Sequence, residues 1–234
     1  MSIVGTKVIR KEDPNLLTGR GQYVDDIQLT GMTHMAFVRS TEAHALIKGI
    51  DVSAALECEG VIGAWTAADL ELPPLPEVPG LERPTLATDK VRFVGEAVAV
   101  IVAESKYSAA DGTELVVVDY EPLEAVTNIE EATAEDAPLL FEELGSNTVA
   151  EVPSADDHQS VFDSAPHTEK IKLINNRCTA APIETSACLA DYGPAGLTIW
   201  ASFQAPHHLR NRISAWLGIP QDQCRVITPD VGGG

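Results

Sequence analysis

Two features near the carboxyl end of this chain have residue types that could do chemistry: the polar amide of Gln204 and the run Gly232, Gly233, Gly234. Glycines carry no β-carbon, so their backbone takes positive φ and brings N–H groups up to a phosphate or another polar ligand. Alone, three glycines more often mark only a flexible turn. The reading gains force because an isolated polar glutamine follows one strand and the glycine loop follows the next. If the two strands lie side by side, their carboxyl ends present both features at one edge.

The elements that must do this positioning are legible locally. Leu197-Thr198-Ile199-Trp200 is a β-branched and aromatic run that predicts a strand. Gln204-Ala205-Pro206 breaks it, because proline cannot donate to a ladder and disfavours a helical residue before it. From His207 the apolar residues Leu209, Ile213, Trp216 and Leu217 recur at helical spacing, so an amphipathic helix follows, stopped by Gly218 with Pro220 beyond. Arg225-Val226-Ile227 predicts a second strand running into Pro229-Asp230-Val231 and the glycines.

The whole run FQAPHHLRNRISAWLGIPQDQCRVITPDVGGG, residues 203–234, resembles the molybdopterin-binding large subunit of the xanthine dehydrogenase, aldehyde oxidase and carbon monoxide dehydrogenase family. That family carries TQxPH, LG and VRVIxPDVGGGFG in this order. The resemblance implies that Gln204 sits beside molybdenum, hydrogen-bonding an oxo ligand without ligating the metal, and that Gly232, Gly233 and Gly234 offer backbone amides to the cofactor. The sequence stops at Gly234, before the Phe-Gly that completes the family's loop.

Composition sets the outer bounds. A chain of 234 residues, 44% hydrophobic and 22% charged, has the make-up of a globular protein with a sizeable core. No apolar run approaches the roughly 20 residues that span a bilayer, and no signal peptide opens the sequence, so a cytoplasmic protein is expected. The net charge of −19 argues against a nucleic-acid partner, which needs clustered Lys and Arg. Cys58, Cys178, Cys188 and Cys224 form no C-x-x-C pair. They read as buried small apolar residues in a reducing compartment, not as ligands of an iron–sulfur cluster.

Earlier in the chain, residues 1–16 read as a polar, extended arm. Leu17 to Asp26 shows turn chemistry, Met32–Arg39 and His44–Ile50 read as strands, and Asp51 or Ser53 caps a brief helix over Ala54–Leu56. Val61–Trp65 is a further strand, with Thr66 capping the turn after it. Five prolines (Pro73, Pro74, Pro76, Pro79, Pro84) make residues 71–84 a surface loop of polyproline character. Val98–Val102 is a continuous apolar strand, followed by a helix over Tyr107–Leu115 weakened by Gly112 and a strand Val116–Tyr120. Strand, helix and strand with short links predict a βαβ-like unit and a mixed α/β, or α+β, fold.

Within this region LLTGRGQYVDDI, VRFVGEAVAVIVAES and ELVVVDYEPLEAV resemble the small α/β hammerhead domain that opens the same family's large subunit. Arg92, Glu96, Asp119 and Glu121 read as structural or surface groups there, not acid–base catalysts. Residues 125–165 are acidic and interrupted, and read as a linker with short helical pieces. His158 beside Asp156 and Asp157 reads as a solvated loop, because one His without a second nearby defines no metal site. Glu169–Leu173 suggests an exposed edge strand, and Ala187–Tyr192 another strand. The segment around Arg177–Thr185 resembles the family's NQR and PxEPR blocks, with Asn176 and Thr185 standing where Gln and Pro are usual. His207 and His208 read as helix-capping or packing residues.

The sequence therefore divides into an arm (1–16), a hammerhead-like domain (17–124), an acidic linker (125–165) and the beginning of a molybdopterin-binding domain (166–234). The resemblance implies a molybdenum hydroxylase that binds molybdopterin cytosine dinucleotide and oxidises an aldehyde, an N-heterocycle or CO with oxygen from water. It implies a FAD-binding medium subunit and a 2Fe–2S small subunit as partners, arranged as a dimer of heterotrimers, and a general-base glutamate downstream of this sequence. A site that needs several segments cannot be assembled from one, so the chain is expected to be an inactive fragment by itself. An assembly module that holds partner subunits without catalysis is the alternative. A phosphate-loop enzyme fits less well, because no Lys-Ser/Thr follows the glycines.

Overall fold

The apolar run around Val98–Val102 lacks polar alternation, so both its faces must be covered. The structure, a computed structural model that describes residues 4–78, 81–152 and 158–233, makes it the centre of a sheet. In chain order the elements begin with α1 (Asp13–Leu17), β1 (His34–Arg39), β2 (Ala45–Asp51), α2 (Ser53–Leu56), β3 (Val61–Thr66), β4 (Leu75–Val78) and β5 (Leu81–Arg83). There follow β6 (Lys90–Val91), β7 (Ala97–Ala103), α3 (Lys106–Glu114), β8 (Val117–Pro122), α4 (Ile129–Ala132) and α5 (Gln159–Ser164). The last are β9 (Cys188–Gly193), β10 (Gly196–Ala201), α6 (Pro206–Leu217) and β11 (Cys224–Ile227). The fold is mixed α/β, as expected. It divides into two compact units, residues 31–173 and residues 1–30 with 174–234.

In the unit 31–173, β7 lies between β1 and β3, and β2 between β6 and β8, all antiparallel. The two sheets share one core, in which Val98, Ala99 and Ile101 of β7 meet Ala45 of β2 and Val91 of β6. The helix α3 starts where Ser105 Oγ accepts the Ser108 N–H at 3.0 Å, an N-cap that satisfies one orphan donor. Gly112 earns its place in that helix. A β-carbon there would lie 2.9 Å from Ile101 Cγ2 and 3.0 Å from Val61 Cγ2, so only glycine lets α3 sit this close to the sheet.

Four expectations are corrected here. The βαβ-like unit is not formed: β7 and β8 lie in different sheets, because antiparallel partners already occupy both edges of β7. The proline-rich stretch 71–84 contains a hairpin, β4 with β5, Leu75 opposite Arg83. A two-stranded ladder leaves an outer side on each strand where proline's missing N–H is tolerated. Glu169–Leu173 forms no strand, and Ile171 and Leu173 are exposed. The amino-terminal arm is not wholly extended either, since α1 forms in it with Pro14 in its first turn.

The acidic stretch 125–165 holds α4 and α5 and is stitched to its unit by side chains. Asn147 accepts the Leu140 N–H at 3.0 Å and donates to the carbonyls of Ala132 and Pro138. Arg92 donates to the Leu140 carbonyl at 2.8 Å and stacks over Phe141, while its own N–H reaches Glu96 Oε2 at 2.6 Å. Arg92 and Glu96 are thus structural, as expected.

Lys90 is buried, and its ammonium pairs with Glu142. That hydrogen bond is the main reason the Glu142 carboxyl titrates below its ordinary value of 4.5. A carboxyl whose pKa is depressed by folding stabilises the folded chain above the unfolded value, and this contribution is lost as pH falls through the folded one. Acid destabilisation below about pH 4.5 therefore contains a component that Glu142→Gln removes. Because the Glu142 side chain is 62% exposed, solvent screening holds that component to about 1 kcal/mol or less. Denaturant titrations of both forms at neutral and acid pH measure it; equal pH slopes would contradict it.

Candidate functional site

The direction of strand pairing decides where the chemistry-bearing loops go. β10 and β11 pair in parallel, with Leu197 opposite Cys224 and Trp200 opposite Ile227. Parallel neighbours require a crossover, supplied by α6, and they end at the same sheet edge. Leu197, Ile199 and Ala201 alternate inward along β10 and pack with Leu209 and Ile213 of α6. The helix opens with Pro206, where a missing N–H costs nothing, and closes on Gly218 at φ 67°. Beyond the strands, Thr228 Oγ1 donates to the Phe203 carbonyl at 2.9 Å and ties the two exits together.

The consequence is a cleft of about 470 Å³ whose lining includes Pro182, Glu184, Phe203, Gln204, Val231 and Gly233. Gln204 and Gly233 thus open on one cleft. Gly232 lies against Glu184, its N–H donating to Glu184 Oε2 at 2.7 Å. Gly234 lies outside the described residues. Backbone contact is close: a β-carbon on Gly232 would stand 2.4 Å from Glu184 Cβ, and one on Gly233, at φ 138°, 2.6 Å from Pro182 Cβ. Among the described residues no group of three or more His, Cys, Asp and Glu could hold a metal directly. What the cleft offers instead is an exposed side-chain amide and glycine backbone.

Sequence reasoning missed the residues that shape the loop. Asp230 accepts the Gln22 N–H at 2.9 Å and returns its own N–H to the Gln22 carbonyl at 3.0 Å. Glu184 also accepts the Val24 N–H at 3.4 Å. The two glycines and the adjacent acids of residues 17–26 signalled a turn, but nothing in the sequence signalled that this turn would meet residues 160 and 208 positions later. His207 and His208 are exposed on the first turn of α6, in no core cluster. The cysteines also depart from expectation. Cys224 is buried beneath α6, but Cys178 and Cys188 are exposed and Cys58 is half-buried. His158 lies just before α5, and Asp156 and Asp157 lie outside the described residues. A second cleft of similar size, lined by Phe37, Arg39, Glu114 and Tyr120, carries none of the sequence-predicted residues.

Residues 18–124 match the family described as aldehyde oxidase and xanthine dehydrogenase, a/b hammerhead domain, and residues 140–234 match the molybdopterin cofactor-binding domain. The chain belongs to the aldehyde oxidase and xanthine dehydrogenase family. Within that family it is 40% identical to the nicotine 6-hydroxylase large subunit of Paenarthrobacter nicotinovorans, over 100% of this chain and 30% of that protein. It is 38% identical to the carbon monoxide dehydrogenase large chain of Afipia carboxidovorans, over 99% of this chain and 31% of that one. The crystal structure of quinoline 2-oxidoreductase from Pseudomonas putida 86 superposes with a TM-score of 0.89 at 38% identity, covering 98% of this chain and 30% of that one. The chain therefore spans about 30% of the length of these relatives. Among the described residues no helix is long and apolar enough to cross a membrane.

Proposed function

We propose that this chain is the amino-terminal part of a molybdenum hydroxylase large subunit and forms one wall of the pocket for molybdopterin cytosine dinucleotide. One observation carries the reading: Gln204 and Gly233 open on the same cleft, at the carboxyl ends of two parallel strands. The residues fit such a group. An exposed amide can hydrogen-bond an oxygen of the ligand, and Gly233, which lines the cleft and carries no side chain, can present its backbone there. When bound, the cofactor supplies the redox centre for oxidation of an aldehyde, an N-heterocycle or CO with oxygen from water. Gln204 orients a ligand oxygen, Phe203 and Val231 exclude water beside it, and the glycine loop fixes its position.

The arm (1–16), hammerhead-like domain (17–124), acidic linker (125–165) and start of the cofactor domain (166–234) are the division that goes with this reading. A FAD-binding medium subunit and a 2Fe–2S small subunit accept the electrons, in a cytoplasmic dimer of heterotrimers. Turnover requires a subunit of the relatives' length, so the 234-residue chain alone is inactive.

The test is a subunit of that length containing this sequence, purified with its partners and assayed for molybdenum and for cytidine monophosphate released on hydrolysis. Stoichiometric amounts of both are expected; their absence sinks the reading. In the same preparation Gln204→Ala is expected to lower kcat by about 10- to 100-fold. A hydrogen bond to a charged group is worth about 1.5–3 kcal/mol, and each 1.4 kcal/mol is about tenfold. An unchanged kcat places Gln204 away from the reacting centre.

A further inference from the structure

We infer that Glu184 is the positioning residue of the glycine loop: its carboxylate engages the Gly232 N–H and so leaves the Gly233 N–H as the amide that meets ligand in the cleft. The inference rests on the proposed function for the ligand's identity but not for the contact itself. Glu184 grips the Gly232 residue from both sides. Its Oε2 accepts the Gly232 N–H at 2.7 Å, and its backbone N–H donates to the Gly232 carbonyl at 3.4 Å. The other carboxylate oxygen, Oε1, accepts the Val24 N–H at 3.4 Å, so one side chain joins the loop, the turn at 182–185 and the segment after Gln22. Two residues earlier, Asp230 makes a reciprocal pair with Gln22.

The loop is therefore clamped at positions 230 and 232, and Gly233 is the first residue beyond the clamp. Gly233 lines the cleft, and among the described residues its N–H donates to no protein acceptor. Adjacent glycines thus divide the work, one as anchor and the next as ligand contact. The arrangement also explains why a carboxylate can line a cleft meant for a polar, electron-rich ligand. Each oxygen of Glu184 is already taken by a backbone N–H, which holds the side chain in place as a positioning group.

The test is amide exchange in the 15N-labelled 234-residue chain, with the Ile199 amide in β10 as the reference for folding. Gly232 is expected to exchange at least tenfold more slowly than Gly233. Glu184→Ala should bring Gly232 to the Gly233 rate with Ile199 unchanged, and Glu184→Gln, which keeps an oxygen on a side chain of the same length, should restore the protection. Gly232 remaining slow in Glu184→Ala, or Glu184→Gln behaving like the alanine variant, overturns the proposal. Should Glu184→Ala fail to fold, an acid titration of the unsubstituted chain decides. The Gly232 amide proton and the Glu184 side-chain carboxyl carbon should shift with one midpoint; separate midpoints overturn the contact. In the longer subunit, Glu184→Ala is expected to lower molybdenum content several-fold and Glu184→Gln to recover it. If the amide pattern holds but the unsubstituted subunit contains no molybdenum, the cofactor reading falls and the anchor stands.

Discussion

Gly232→Ala is expected to lower the melting temperature of the unit that carries the cleft by roughly 10–20 °C. The added methyl would stand 2.4 Å from Glu184 Cβ and 3.1 Å from its backbone nitrogen. A Cβ is the root of its side chain and cannot swing aside, so relief requires the backbone of one segment to move. Overpacking of this kind costs about 1–3 kcal/mol. The movement also breaks the Gly232 N–H bond to the Glu184 carboxylate, a charge-assisted bond worth about 1.5–3 kcal/mol. The two losses arise at one contact and do not simply add; a total near 3 kcal/mol is reasonable. For a domain of 60–100 residues each kcal/mol moves the midpoint by about 4–8 °C. Trp200 and Trp216 lie in this unit and Trp65 in the other, so fluorescence melting in a Trp65→Phe background reads the affected unit by itself. A midpoint within about 2 °C of the parent would show that the turn at Glu184 yields freely, and the description of a clamped loop would be wrong.

That clamp marks the limit of what the sequence discloses. The strand, helix and strand that build the cleft are local, and each carries its own signal: β-branched residues at Leu197–Trp200, helical spacing from Leu209 to Leu217, and Gly218 where the helix must turn. The edge at which Gln204 and the glycines meet follows once β10 and β11 are known to pair in parallel, and a resemblance over the same residues points to the same place. Glu184 and Asp230 carry no comparable signal. Their partners are distant in sequence, and an isolated carboxylate looks the same whether it caps a backbone amide or faces solvent. The failures in the first half have a similar origin. Val98–Tyr120 has the local order of a βαβ unit, but which strand pairs with β7 is settled by β1 and β3, which close both of its edges before β8 is reached. The prolines at 73–84 forbid a central strand yet permit a hairpin whose outer sides are unpaired, and composition alone does not separate those cases. Residue type suggests buried cysteines, but type does not say that Cys188 is exposed while Cys224 packs in the cluster with Leu209 and Ile213 of α6.

Ile101→Ala is expected to destabilise the unit 31–173 by about 3–5 kcal/mol, the upper part of the range for removing most of a buried side chain. Ile101 has no exposed surface, and its cross-strand neighbours on β7's two flanks are both alanines, Ala36 and Ala64. Side chains that small cannot lean in to fill the space, so the cavity persists and its full cost is felt. The face toward α3 is equally unable to collapse, because the helix is already seated against Ile101 at Gly112. This geometry predicts coupling between the two sites. In the parent chain, Gly112→Ala drives a methyl to within 2.9 Å of Ile101 Cγ2 and destabilises, despite the gain of about 1 kcal/mol in helix propensity. In the Ile101→Ala background the nearer atom is gone and Val61 Cγ2, at 3.0 Å, still faces the methyl, so Gly112→Ala should cost markedly less than in the parent. Contacting residues show coupling energies of about 0.5–3 kcal/mol, well within reach of denaturant titrations on the four chains of the cycle. As a control, Ile171→Ala, at an exposed site, should change stability by less than about 0.5 kcal/mol. Additive effects in the cycle would mean that α3 does not rest on Ile101, and that Gly112 is only the helix weakness its sequence suggests.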